Sequence, residues 1–228
     1  MRLSSLALLL MSTAALARAD VPAVVTDIAP VHGLVSMVVG DLSTPALLID
    51  PASSPHTNAM RPSAAAALES ADVVFWIGSE LTPWLDGPLA ALAPSAVKLA
   101  LLDSEGTQTL EFRETEEFGA HDHNDHGHEN DDHGHDHAET DPHAWLDPAN
   151  ADVWLDAIAA TLAQLDPDNA ATYQSNADSA KAAIAVEIDA AQTLLAPVAS
   201  SPFVVFHDAY HYFESRFGLE AIGALALS

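Results

Sequence analysis

Apolar residues along this chain fall into short unbroken runs separated by stretches with helical spacing. Residues 21–29 (VPAVVTDIA) and 45–50 (PALLID) have the length and β-branched content of buried strands. Between them, 31–39 reads as a short helix that Gly40 can end. Pro62 suits the first position of an alanine-rich helix over 62–70. Residues 73–77, closed by Gly78, and 97–102 are two more buried runs. Strands that are apolar on both faces and alternate with helices predict a parallel sheet covered on both sides.

The second half of the chain changes period. Asp147-Pro148 offers a capping carboxylate followed by a proline suited to a first turn. Ala151, Trp154, Ile158, Leu162 and Leu165 then recur at helical spacing. Asp166-Pro167 starts again, and Ala170, Tyr173, Ala177, Ala180, Ile184, Ile188, Ala191 and Leu195 make one stripe that ends near Pro197. Such a helix spans roughly 40 Å, more than one small lobe needs. A short strand over 203–206, with His207 at its end, a helix through Phe217 stopped by Gly218, and a strand over 221–227 complete the pattern. Two strands and one helix are not a finished lobe.

The fold expected is therefore α/β, with two parallel-sheet lobes joined by one long helix and the second lobe incomplete in this chain. The division is 1–19 as a leader, 20–166 as the first lobe, 167–196 as the linking helix and 197–228 as the start of the second lobe. A small appendage on one larger domain is the alternative arrangement.

Composition narrows the function classes. The formal charge of −26, from 33 acidic and 7 basic residues, gives no basic footprint for nucleic acid and opposes docking on an anionic membrane. It suits a cationic partner. Residues 1–19 have the form of a cleaved signal peptide: Arg2, an apolar stretch too short to span a bilayer, and an Ala17-Arg18-Ala19 cleavage site. No other segment is apolar for long enough to cross a membrane. There is no cysteine, which excludes disulfides, thiolate sites and a lipid anchor on cysteine. The mature chain is expected to be exported, periplasmic, monomeric and not anchored to the membrane.

Residues 114–141 break the apolar pattern. They carry His121, His123, His126, His128, His133, His135 and His137 among acidic residues and glycines, with no Lys or Arg. Such a segment cannot bury enough surface to fold alone, and it reads as a loop inserted in the first lobe. Closely spaced His and Asp can hold Zn²⁺ in many equivalent ways, each weakened by the ordering it demands. An auxiliary, low-affinity metal role is expected for these seven histidines, with a solvated segment as the alternative.

Three other histidines, His56, His143 and His207, each sit where a regular element meets a loop. In open parallel sheets ligands bind at the carboxyl ends of strands, and imidazole is a preferred zinc ligand. Position alone does not separate a ligand from a solvated or capping histidine. His32 and His211 read as core or supporting groups, and the four tryptophans as packing residues. Glu80 is placed to line a cleft, and Asp208 to orient His207. A catalytic zinc would also accept three histidines. The folded part, however, has neither an HExxH pair nor an HxHxD motif to supply the rest of a hydrolase.

Several motifs in combination resemble the metal-binding proteins of ABC importers, the cluster A-I or cluster 9 family, and its zinc branch most of all. Asp27-Ile28-Ala29-Pro30-Val31-His32 resembles the family's opening strand and helix. Ser54-Pro55-His56 with Arg61-Pro62-Ser63 resembles its first-ligand segment, where Asp-Pro-His is usual. Asp141-Pro142-His143-Ala144-Trp145-Leu146-Asp147-Pro148 resembles the second, and Phe206-His207-Asp208-Ala209-Tyr210 the third.

The resemblance implies that His56, His143 and His207 bind metal between two lobes. It also implies that the long helix restrains closure and that a membrane permease of an ABC importer receives the ion. Manganese relatives have Glu at the position of His207, so histidine there implies Zn²⁺. The acidic histidine loop is also typical of the zinc members. The family's fourth coordinating position would lie past Ser228, and water can also complete the sphere. The expected function is zinc capture without catalysis. A periplasmic zinc buffer and a zinc-dependent hydrolase are the alternatives. Because imidazole must be neutral to bind, affinity should fall as pH drops through about 6 to 7.

Overall fold

Four short parallel strands form the main sheet, in the order β2-β1-β3-β4. In this computed structural model residues 21–57, 59–113 and 140–226 are described. The leader, the seven clustered histidines and Leu227 lie outside them.

The strands are β1 (Val24–Thr26), β2 (Ala46–Leu47), β3 (Val73–Trp76) and β4 (Val97–Ala100). They are shorter than the apolar runs predict. The runs nevertheless keep pairing past the strand ends. Leu48 and Ile49 donate to the carbonyls of Thr26 and Asp27, and Leu101 and Leu102 to those of Trp76 and Ile77. The extra apolar residues thus stay buried while the backbone turns toward the loops at the carboxyl edge.

Helix α1 (Ala29–Val39) begins with a proline in its first turn and buries Val31, Val35, Val38 and Val39. It stops at Gly40, whose φ of 54° suits a residue without a Cβ. A side chain there would also meet the Asn176 amide, which donates to the Val38 carbonyl. Helices α2 (Pro62–Glu69) and α3 (Asp86–Leu92) follow β2 and β3. The sheet is thereby built from crossover units, as the alternating pattern predicts.

Helix α4 (Pro148–Leu165) is capped by Asp147, whose carboxylate accepts from the Ala149 N–H. Its buried stripe is Trp154, Leu155, Ile158, Ala159 and Leu162. At its end Asp166 accepts from the Tyr173 hydroxyl at 2.9 Å and from Asn169 at 2.6 Å, which fixes the turn into α5 (Ala170–Leu195). Burial, reinforced by the Asp166 hydrogen bond and charge, pushes the Tyr173 hydroxyl well above the ordinary range.

The 26 residues of α5 span about 39 Å. Its first half buries Tyr173, Ala177 and Ala180 in the main core. Its second half carries the predicted stripe of Ile184, Ile188, Ala191 and Leu195 only half-buried. No helix among the described residues is long and apolar enough to cross a membrane.

Beyond α5, β5 (Phe203–His207) and β6 (Ala221–Ala226) pair in parallel through α6 (His211–Phe217). Gly218, left-handed at φ 67°, ends α6 as the sequence predicts. Val205, Ala221 and Ala224, with Phe203 against them, make a small cluster separate from the main core.

Candidate metal centre

His56, His143 and His207 come from three separate segments of the chain and converge. One ligating nitrogen from each can be chosen so that all three lie within 4.8 Å of one another. The ring centroids are 5.1 to 5.6 Å apart, and each pair of rings meets edge to face.

Each histidine is held differently. His56 sits in the loop after β2. The carbonyl of its neighbour Pro55 accepts from the Trp84 indole N–H at 2.8 Å, and the Asp50 carboxylate organises the start of that loop through the Ala52 N–H and Arg61. His207 is the last residue of β5, paired opposite Ala226.

His143 is the most buried of the three, at 2 % exposure. Its Nδ1 lies 2.6 Å from Asp141 Oδ1, which also accepts the His143 backbone N–H at 2.9 Å. With Nδ1–H donated to the carboxylate, the Nε2 lone pair faces the cleft.

The His143 and His207 Nε2 atoms stand 3.2 Å apart. Two nitrogens on one tetrahedral zinc, each at about 2.0–2.1 Å, would be separated by about 3.3 Å. Two lone pairs at this distance repel unless a proton or a cation lies between them.

Electrostatics disfavour the proton. Burial lowers the pKa of His56, and the His143 and His207 rings lower it further, with Asp141 opposing. Burial and then His143 lower that of His207, against Asp208 and Asp141. Both imidazoles are biased toward the neutral, ligating form.

The rings open onto a cleft of about 520 Å³ whose other walls include Pro55, Trp145, Phe206 and Ala209. Trp145 also packs against the His143 ring, with centroids 5.2 Å apart. A larger apolar cleft of about 710 Å³ is lined by Trp145, His207 and α6 residues such as Phe213 and Glu214. Neither His56 nor His143 lines it. Among the described residues, the three histidines are the one cluster of three or more possible ligands arranged to hold a metal.

Sequence reasoning named these three residues but misjudged some of their supports. Asp208 turns both its oxygens to Arg113, at 2.7 to 3.2 Å, and not to the His207 ring. The ring that does have a carboxylate partner is His143. The Asp-x-His spacing at Asp141 carried that signal, since an Asp two residues ahead can reach both the N–H and the ring. Glu80 is exposed and folds back over Gly78 instead of lining the cleft. His32 bonds to the Pro45 carbonyl and to Ser36, a supporting role as expected. His211 starts α6 and stands outside the cluster. Trp76 and Trp154 are buried packing residues.

Comparison with known proteins concerns the chain as a whole. Residues 24–228 match the family model of ZnuA, zinc-uptake complex component A periplasmic. The high-affinity zinc uptake system protein ZnuA of Paracoccus denitrificans is 45 % identical over 230 residues, covering 95 % of this chain and 71 % of the relative. The protein of the same name from Brucella abortus is 40 % identical over 225 residues, covering 90 % of this chain and 67 % of the relative. A ZnuA crystal structure superposes with a TM-score of 0.72 at 24 % identity, covering 90 % of this chain and 71 % of that one. At that identity the likeness speaks for the fold alone.

Proposed function

The chain belongs to the ZnuA family, zinc-uptake complex component A periplasmic, and we propose that it captures Zn²⁺ in the periplasm and delivers it to an ABC-type zinc permease. The observation that carries this reading is the convergence of His56, His143 and His207, with two Nε2 atoms at the spacing a tetrahedral zinc would impose. In this reading the three imidazoles are the protein's ligands, and a further ligand or water completes the sphere.

The capture is binding without catalysis, by a monomer that is not anchored to the membrane and whose leader, residues 1–19, is removed on export. Residues 20–166 form the metal-binding lobe, 167–196 the linking helix and 197–228 the start of a second lobe. The seven histidines from His121 to His137 supply auxiliary sites of lower affinity.

The test is a competitive titration with a chromophoric chelator, with Mn²⁺ run in parallel and circular dichroism as the check on folding. One tight zinc site is expected. It should survive replacement of the seven clustered histidines by asparagine and weaken on the order of a hundredfold or more in His143→Ala. Zinc binding that vanishes with the clustered histidines, in a protein that stays folded, would overturn the three-histidine centre.

A further inference from the structure

His207 poses a positional problem. The strand that carries it has little behind it: only Val205, Ala221 and Ala224, with Phe203, make up the local core. Phe206, next to it in sequence, is 77 % exposed. Packing of β5 alone does not explain an Nε2 held 3.2 Å from that of His143.

Besides the His143–His207 contact, three cross-links among the described residues dock the β5–α6–β6 unit on the main lobe. The Tyr212 hydroxyl donates to the Asp141 carbonyl at 2.7 Å and accepts from the Leu110 N–H at 2.8 Å. Arg216 forms a two-bond pair with Asp147, at 2.6 and 2.7 Å. Both hold α6. The third is Arg113. Its guanidinium bonds to both oxygens of Asp208, the residue after His207, and to both oxygens of Glu214 on α6, at 2.8 and 3.1 Å. Glu214 in turn accepts from the Ala221 N–H at the start of β6.

Among these links, only Arg113 reaches the covalent neighbour of a metal-centre histidine on β5. Asp208 and Glu214 are nearly sealed from solvent, at 3 % and 5 % side-chain exposure. Removing their shared cation would leave two buried carboxylates to repel each other and seek water. The turn after His207 would shift, while Tyr212 and Arg216 still held α6 in place.

We infer that Arg113 is a positioning residue for the metal centre: by gripping Asp208 and Glu214 together it sets where His207 stands relative to His143. The inference rests on the three-histidine reading above. It adds a residue from the main lobe, remote in sequence from all three ligands, that acts only through the third.

A double-mutant cycle on Zn²⁺ affinity in the full chain tests it, read by chelator competition with circular dichroism as the folding check. Arg113→Ala should weaken binding by about tenfold to a hundredfold, the range typical for groups that orient ligands. On a His207→Ala background the same change should cost less than about twofold, because the residue it positions is gone. On a His56→Ala background it should cost its full factor. Bound Co²⁺ should report one histidine fewer in Arg113→Ala through weaker visible absorption. If Arg113→Ala disturbs folding, Arg113→Lys, which keeps the charge and loses the fork, enters the same cycle with a smaller factor expected.

Losses that multiply in full on the His207→Ala background, or no loss in Arg113→Ala, overturn the inference and leave the three-histidine centre standing. A His207→Ala protein that is folded and binds zinc unchanged overturns that centre, and the role of Arg113 with it.

Discussion

The two regions that meet at the candidate metal centre are built to different depths. The main lobe encloses β1 and β3, α1 and α4 in one core, with Val31, Val35, Val73, Phe75, Trp154, Leu155 and Ile158 sealed from solvent. The β5–α6–β6 unit has its few-residue cluster and leaves Val204, Phe206, Ile222 and Leu225 exposed. Its firmest contacts are borrowed: Tyr212 counts among the residues of the main core. In the proposed centre, two imidazoles come from the well-packed main lobe and a third from a unit positioned largely by polar links. Such a division suits a protein that must hold an ion and also give it up, since one ligand can move without the main core repacking.

The largest effect that separates the regions is on stability. Ile158 is fully buried against other main-core residues, and Ile158→Ala should cost about 2–5 kcal/mol, enough to threaten the whole lobe. Val205 is at 9 % exposure in a cluster of small residues, and Val205→Ala should cost much less, on the order of 1 kcal/mol. Chemical denaturation of both variants, followed by tryptophan fluorescence, compares them directly, since Trp76 and Trp154 report the main lobe. Equal losses would mean that the two cores are not distinct in energy.

A smaller effect distinguishes how the histidines are held. His143 depends on a buried carboxylate on its own segment, at 2.6 Å. Asp141→Asn keeps an acceptor of similar shape and removes the charge that makes the imidazole a better donor to metal. Zinc affinity should fall about tenfold with little change in stability, in chelator competition and thermal melts respectively. A loss of stability as large as that of Ile158→Ala would make Asp141 a structural residue first.

The contrast also explains what the sequence could convey. Local chemistry was legible. Gly40 and Gly218 stop their helices, Asp147 caps α4, and the long stripe from Tyr173 onward is one helix. His56 and His207 fall at or just past strand ends, where open sheets bind ligands, and the resemblance of their motifs and that of His143 set the three apart from His32 and His211. Partnerships across large sequence gaps were not legible. Arg113 meets Asp208 and Glu214 some hundred residues away, and nothing in the local pattern around Asp208 distinguishes a carboxylate that orients its neighbour from one claimed by a distant guanidinium. Strand ends were overextended because apolar residues remain buried after the backbone leaves the ladder, as Leu48 and Leu101 do.

The smallest expected effect is a pH signature of opposite sign in the two regions. In the main lobe, burial raises Asp27 from the usual carboxylate range to about 7, although the N–H groups of Ile77 and Ile28 pull it down. A raised carboxyl binds its proton more tightly when folded. Its contribution is complete below the ordinary value near 3.8 and is lost as pH rises through about 7. Glu214 behaves in reverse. Burial alone would raise it, but the Arg113 hydrogen bonds, the Ala221 N–H and the Arg113 charge outweigh that and hold it below its ordinary 4.5. Its contribution is present above about 4.5 and is lost as pH falls through the depressed value. Acid should therefore loosen the β5–α6–β6 dock before it loosens the main lobe. In metal-free protein, the protection of the β5 and β6 amides from hydrogen exchange, relative to the intrinsic rate at each pH, should fall below about pH 4.5 ahead of that in β1 and β3. Glu214→Gln, lacking the carboxylate that Arg113 holds, should show lower protection in β5 and β6 already at neutral pH and little further change on acidification. Uniform loss of protection across both sheets would mean that acid acts on the molecule as one unit, and the two regions would then share a single stability despite their different cores.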